Sequence, residues 1–353
     1  MKSNSSFKGR AASFNTPNRF EKQHLEPMEL DIQYDDDIPP VPNTFYNDSS
    51  KSILAKNDSP DLQFTYSINP YRGCEHGCIY CYARPSHEYL GFSAGLDFET
   101  KIMVKMDAPQ LLEETLRNKS WEPQMVAFSG NTDCYQPVER RLELTRKCLG
   151  VFLTFRNPVG LITKNALVTR DIDILREMTS HDLIHVMLSI TTLDADLART
   201  MEPRTSSPTN RLKAIEELAR NGIIVGVNVA PIIPGLTDEE IPAILKAAVE
   251  HGATSAGYIL LRLPGAVEPL FLDWLQRTMP QRAAKIINRI KDTRAGTMSD
   301  ARFGSRMKGE GEISETINTL FKVHARKYNL NKRWSGLSTE HFRRSVSHQV
   351  EMF

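Results

Sequence analysis

From about residue 63 the chain alternates short apolar runs with longer amphipathic ones, six times over, and this alternation constrains its fold more than any other feature. The runs at 64–68, 125–128, 160–163, 183–190, 223–230 and 257–261 are short and β-prone. Stretches at 109–118, 139–155, 171–179, 209–221 and 239–251 have helical periodicity. The last puts Ile241, Ile244, Leu245 and Val249 on one face and charges on the other. Asn221 with Gly222, and His251 with Gly252, supply helix stops. The run IIVGVNVA at 223–230 is apolar almost throughout, as a strand buried on both faces must be. The pattern predicts a parallel α/β protein. Six units suit an open doubly wound sheet or a partial barrel, and periodicity does not choose between them.

Residues 1–60, including the acidic stretch MELDIQYDDDIPPVPN, are polar and without lasting periodicity. They read as an extended or disordered arm, with a strap packed along the domain as the alternative. Residues 61–267 form the α/β core, and 268–353 lose the strand–helix rhythm and read as a helical extension. The 353 residues are 40% hydrophobic and 25% charged, a globular composition. A formal net charge of +1 gives no whole-molecule attraction to nucleic acid or membrane. No apolar run approaches the ~20 residues of a membrane helix, and the N-terminal residues lack the apolar stretch of a secretory signal. The expectation is a cytoplasmic protein with no membrane partner.

In parallel α/β folds, active sites form from the loops that follow the strands. Here those loops read NPYRGCEHGCIYCYARP, SGNTDCYQP, KNALVTRD, TTLDADLARTMEPRT, PIIPGLTDEE and RLPGAVE. Segments entering the strands, such as NKSWEPQ, are short and plain. Reactive residues thus gather on one rim, as an enzyme of this architecture requires.

Three of the five cysteines crowd into eight positions as Cys74-x3-Cys78-x2-Cys81. Such spacing points to metal or redox work instead of a secreted disulfide framework. Three thiolates from one loop, punctuated by Gly73 and Gly77, suit an iron–sulfur cluster. On a four-iron cluster they leave one iron open to a further ligand, as in catalytic zinc sites. A zinc site completed by His76 or His87 is the competing reading, although structural zinc more often shows two separated ligand pairs. Cys134 and Cys148 stand apart, and Cys148 falls in an apolar helix pattern.

The cysteine motif, with Tyr80 before its third cysteine, resembles the signature of the radical S-adenosylmethionine (SAM) superfamily. The surrounding NPYRGCEHGCIYCYARPSHEYLG is similar to the subgroup related to spore photoproduct lyase, including uncharacterised bacterial members. The resemblance spans about 60–265 through SGNTDCYQP, LITKN, SITTLD, EPRTSSPTNRL and PIIPGLTD, and continues more weakly to about 325 through ARFGSRMKGEGE. It implies a partial (β/α)6 barrel of the TIM type, and a [4Fe-4S] cluster on Cys74, Cys78 and Cys81 that binds SAM at the open iron. Reduction of that cluster would cleave SAM to a 5′-deoxyadenosyl radical, which takes hydrogen from a substrate. An external donor of flavodoxin or ferredoxin type would supply the electron.

Residue by residue, the resemblance places Tyr80 by the adenine. Ser129, Gly130 and Asn131 stand where many members carry a glycine-rich motif for the methionyl amino group, but here the usual glutamate is missing. Lys164 and Arg204 become carboxylate partners, Ser189 a carboxylate or ribose contact, and 229–235 a segment beside the adenine. Tyr82 and Cys134 are candidates to relay hydrogen. Plainer readings remain: Lys164 pairing with Asp171 or Asp173, Ser189 as a satisfied strand end, Arg204 anchoring its own loop, and Cys134 as packing.

The substrate is not legible. The segment 320–353 carries Lys322, Arg326, Lys327, Lys332, Arg333, Arg343 and Arg344, interleaved with Tyr328 and Trp334. That mixture suits nucleic acid or an ordinary exposed helix, whereas ARFGSRMKGEGE suits a cap facing the substrate. An iron–sulfur electron-transfer or sensing protein that leaves SAM intact, and a zinc-stabilised binding module, are the alternatives from other classes.

Overall fold

In the computed structural model, which describes residues 9–16, 27–28, 42–331 and 336–344, each of the six apolar runs is a strand. These are β1 (Tyr66–Ile68), β2 (Val126–Phe128), β3 (Val159–Thr163), β4 (Ile184–Ser189), β5 (Val225–Ile232) and β6 (Ser255–Leu260). Every neighbouring pair is parallel, and the spatial order follows the chain from β1 to β6. A doubly wound sheet reverses its order at a switch point; this one never does. With right-handed crossovers, all the connecting helices then fall on one face, and the other face curls in on itself.

Tyr82 records the curl. Its hydroxyl donates to the Gly130 carbonyl beyond β2 at 2.7 Å, while its ring lies 5.9 Å from the Arg262 guanidinium carbon beyond β6. In a flat sheet those strands would stand four spacings, roughly 19 Å, apart. The fold is the partial barrel that the resemblance implied.

Neither edge strand is left bare. Leu54–Lys56 pairs antiparallel with β1. On β6, the Ala256 and Leu260 amides donate to the carbonyls of Leu330 and Met307. The gap between the edges is bridged by Asp61, which receives the Gly304 amide at 2.7 Å and Arg306 at 2.5 Å.

The helices Ala108–Arg117, Leu144–Phe155, Ile172–Thr179, Pro208–Arg220 and Ile241–Glu250 lay apolar stripes on the strands, burying Leu112, Phe152, Leu175, Ile215 and Ile244 among others. Each such side chain contributes about 1.5–3 kcal/mol. The helix expected over 139–155 is broken at Glu143, whose φ is 53°. The buried Glu139 carboxylate accepts the Thr145 amide there and satisfies the start of the second segment.

The described parts of 1–60 are extended, but they are bound to the body of the protein. Ala11 and Ala12 are buried in a cluster with Trp274 and Leu275, and Thr44–Asn47 pairs in parallel with Lys101–Val104. Strands this short, and a strap of small residues, carry no periodic face to read. Helices Val267–Thr278, Pro280–Asp292 and Gly311–Lys327 follow the barrel.

Two of the C-terminal cations face away from the polar rim. Arg343 donates to the Thr154 carbonyl, and Arg344 to that of Trp121, at the end where chains enter β2 and β3. Lys332, Arg333 and Trp334 lie outside the described residues. No helix among the described residues is long and apolar enough to cross a membrane.

Candidate metal and cofactor site

Past β1 the chain runs through Tyr71–Arg72, paired with Lys101–Val104, into the cysteine loop. Gly73 and Gly77 have φ of +77° and +64°. A Cβ on Gly73 would lie 2.9 Å from the Lys101 carbonyl oxygen, and one on Gly77 would lie 2.7 Å from Glu99 Oε2. Conformation and room both require glycine. The Gly77 amide donates to Cys74 and the Cys81 amide to Cys78, each at 3.2 Å, folding three cysteines into one tight loop.

The loop is held from behind by an ion pair. Arg84 Nε donates to the Cys78 carbonyl at 3.0 Å, and its remaining nitrogens reach the carbonyls of Gly77, Ala94 and Gly95 and Glu99 Oε1 at 2.6 Å. Both partners are fully buried. The N-terminal strap joins the same carboxylate, with the Ala12 amide 3.1 Å from Glu99 Oε1.

All five cysteines are free thiols. Burial pushes the Cys74, Cys78 and Cys81 thiols upward, with Asp133 adding to the effect at Cys74 and Glu202 at Cys78. Lys164 works the other way at Cys78 and Cys81. Thiolates here therefore need a cation to hold them. Three soft sulfur donors within electrostatic reach of one another on one loop fit an iron–sulfur cluster.

Among the described residues no three His, Cys, Asp or Glu side chains converge as a single metal ion would require. The two histidines of the zinc reading have other surroundings. His87 is stacked on Phe92 and edge-on to Phe98, and burial pushes its pKa down to about 4. His76 Nε2 accepts from Asn165 Nδ2 at 3.1 Å, which leaves its Nδ1–H to face Asp133 at 3.4 Å.

Asp133 ties this loop to β3. Its carboxylate also accepts the Thr163 hydroxyl and the Lys164 amide, both at 2.7 Å. Burial alone would raise its pKa, but His76 and these donors outweigh burial and hold it down to about 2. Tyr80 ties the loop to β4 and β5. Its buried hydroxyl donates to Glu202 and lies 3.2 Å from Thr191, which donates to the Ala230 carbonyl. Arg211 closes the circuit, fully buried against Glu202 at 2.6 Å and donating to the Ser189 carbonyl at 3.0 Å.

The expected site residues divide by position. The half-buried Lys164 has its ammonium 5.8 Å from the Tyr80 ring centre, and Asp171 and Asp173 pair with Arg146 instead. Arg204 lies 3.7 Å from the buried Glu75, with its Nη1 buried and unpartnered. Ser189 is buried at the end of β4. Ser129 accepts the Cys134 amide through its hydroxyl, and the Asn131 amide is held by Asn69 at 3.0 Å, which pins the 129–131 turn to β1.

Of the two relay candidates, Tyr82 is 49% exposed at the rim, whereas Cys134 is 1% exposed and joins Cys148 in the main core. Arg84, Glu99, Glu202 and Arg211 are supports that sequence reasoning missed. Nothing in the spacing of a charged residue distinguishes a buried ion pair from a solvated one.

The Radical SAM superfamily model matches residues 68–248. An uncharacterised protein of Mycobacterium tuberculosis is 36% identical over 241 residues, covering 67% of this chain and 71% of its own. Another, from Methanocaldococcus jannaschii, is 33% identical over 175 residues, 50% of this chain and 63% of its own. A structure of spore photoproduct lyase complexed with dinucleoside spore photoproduct superposes with a TM-score of 0.56 at 16% identity, covering 80% of this chain and 79% of that one.

Proposed function

Because the chain belongs to the radical SAM superfamily, we propose that it holds a [4Fe-4S] cluster on Cys74, Cys78 and Cys81 and cleaves SAM reductively to start hydrogen abstraction from a substrate. The observation that carries this reading is the placement of three free thiols on one loop at the carboxyl ends of six parallel strands, with Lys164 beside two of them. A cluster held by these thiols would supply the one-electron chemistry for reductive cleavage of SAM and hydrogen abstraction. An external electron donor of flavodoxin or ferredoxin type feeds it.

The chain's own residues bind and orient. Lys164 pairs with the methionyl carboxylate, and the unpartnered Arg204 Nη1 is a second donor for that group. Ser189 bonds the carboxylate or the ribose. The 129–131 turn, pinned by Asn69, presents its backbone to the amino group. Tyr80, locked by Glu202 and Thr191, keeps its own backbone beside the adenine, next to 229–235. The burial of Cys134 supports a packing role for it, and the half-exposed rim position of Tyr82 supports that residue as the hydrogen relay. A fold shared at 16% identity brings no substrate with it.

The test is anaerobic reconstitution with iron and sulfide, reduction with dithionite, addition of SAM, and assay for 5′-deoxyadenosine beside a Cys78→Ala control. Production that depends on Cys78 is expected. A complete cluster that never cleaves SAM, under any reductant, would overturn the reading in favour of electron transfer or sensing.

A further inference from the structure

Arg262 follows β6 by two residues, and among the described residues no carboxylate bonds it. Its Nε is buried without an acceptor, and the polar partner of its Nη1 is the Met307 sulfur at 3.6 Å. Burial pushes its pKa down and the Arg306 guanidinium pushes it further, with Tyr82 and Asp61 opposing them less strongly. Arg294 lies in the same field: burial takes it down to about 10, with Asp300 opposing and Arg262 adding to the fall.

The nearby carboxylates are committed elsewhere. Asp61 receives Arg306 and the Gly304 amide. Asp300 receives Arg302 at 3.0 Å and the Ser305 hydroxyl at 2.5 Å. Arg294 directs its own donors to the carbonyls of Leu260, Leu261 and Ser305. Gathering like charges away from water is unfavourable; Asp61 offsets part of this through its pair with Arg306, but among the described residues no carboxylate bonds Arg262 itself.

The location makes this charge useful. The Arg262 guanidinium lies over the ring of Tyr82, the half-exposed residue that follows Cys81. Beside it, Arg306 stacks on Phe303, which is 59% exposed, with 4.4 Å from guanidinium carbon to ring centre. Lys164 serves the other flank of the third cysteine, against Tyr80. Two cations thus divide the rim, one on the Tyr80 side and one on the Tyr82 side.

We propose that Arg262, with Arg306 beside it, is an oxyanion subsite for the substrate, taking a phosphoryl or carboxylate group and seating it against Tyr82. A guanidinium offers such a group a planar fork of two donors, whereas the thioether of Met307 is a weak acceptor that meets Nη1 alone. The substrate role of this site rests on the radical SAM reading, whereas the anion site stands on the arginines themselves.

The experiment uses the reconstituted full chain and two probes, inorganic phosphate and acetate, titrated calorimetrically with S-adenosylhomocysteine present to fill the Lys164 side. The expected result is binding of one probe with Kd of about 1 mM, weakened at least about tenfold in Arg262→Gln and partly rescued in Arg262→Lys. Phosphate as the bound probe assigns a phosphoryl group, and acetate a carboxylate. The melting midpoint of Arg262→Gln should not fall, because the group removed is a half-buried charge that no carboxylate bonds. Equal binding by wild type and Arg262→Gln, or no binding of either probe by wild type, overturns the proposal. Cys78→Ala protein that keeps the Arg262-dependent affinity but forms no 5′-deoxyadenosine separates this site from the radical chemistry.

Discussion

Replacing Arg84 by Met should loosen the cysteine loop from behind without touching a thiol. The methionine fills much of the same space, but Glu99 is left buried without its cation, and the carbonyls of Gly77, Cys78, Ala94 and Gly95 lose a donor. Removing one partner of a buried pair costs about 3–5 kcal/mol. Each carbonyl left dry would add about 1–3 kcal/mol, but the loop can relax and admit water, so about 4 kcal/mol is the working figure for the whole change. At about 2 °C per kcal/mol for a chain of this size, the melting midpoint should fall by about 8 °C.

Calorimetry of the metal-free protein reads this directly, and iron content after reconstitution should fall with it. Adding Glu99→Leu removes the stranded charge, so the double variant should recover about 1–3 kcal/mol relative to the sum of the single changes. A loss below about 1 kcal/mol in Arg84→Met, or strict additivity in the double variant, would refute the claim that this pair holds the loop.

Two more expectations follow from the same region. Gly77→Ala brings a Cβ to 2.7 Å from Glu99 Oε2 at a φ of +64°, so it should cost more than the ~1–2 kcal/mol of the left-handed backbone alone and lower iron incorporation; full iron loading in this variant would count against the glycine argument. His87 is held neutral in the folded state, at about 4 against an ordinary 6.5. Its contribution is complete above pH 6.5 and is lost as pH falls through 4, a slope amounting to about 3 kcal/mol. His87→Phe, which fits beside Phe92 and Phe98, should flatten that slope in urea titrations between pH 6.5 and 4, and an unchanged pH profile would show that the ring is not buried as described.

Much of the scaffold was legible because burial on two faces leaves a plain signature. IIVGVNVA became β5, and the rim loops that follow the strands carry the cysteines, Lys164 and Arg262, as the alternation of strand and helix required. The periodicity over 139–155 runs through Glu143 and so predicts one continuous helix. The break depends on Glu139 turning back to the Thr145 amide, a contact that periodicity does not encode. Of the two readings open for residues 1–60, the structure takes the packed strap at Ala11 and Ala12, and the sequence does not choose it because two small residues have no stripe.

The sequence by itself determined the order of strands and helices, the rim on which chemistry gathers, and the three thiols on one loop, because periodicity and close spacing are local properties of a chain. Tertiary structure decided the rest. It curled the sheet so that one tyrosine touches the loops beyond β2 and β6, buried Arg84 with Glu99 and Arg211 with Glu202, sealed Cys134 in the core, and left Arg262 bonded to no carboxylate among the described residues. Those outcomes depend on which distant side chains meet and how much water each meeting excludes, and burial is what turns an ordinary charge into a support or a binding group.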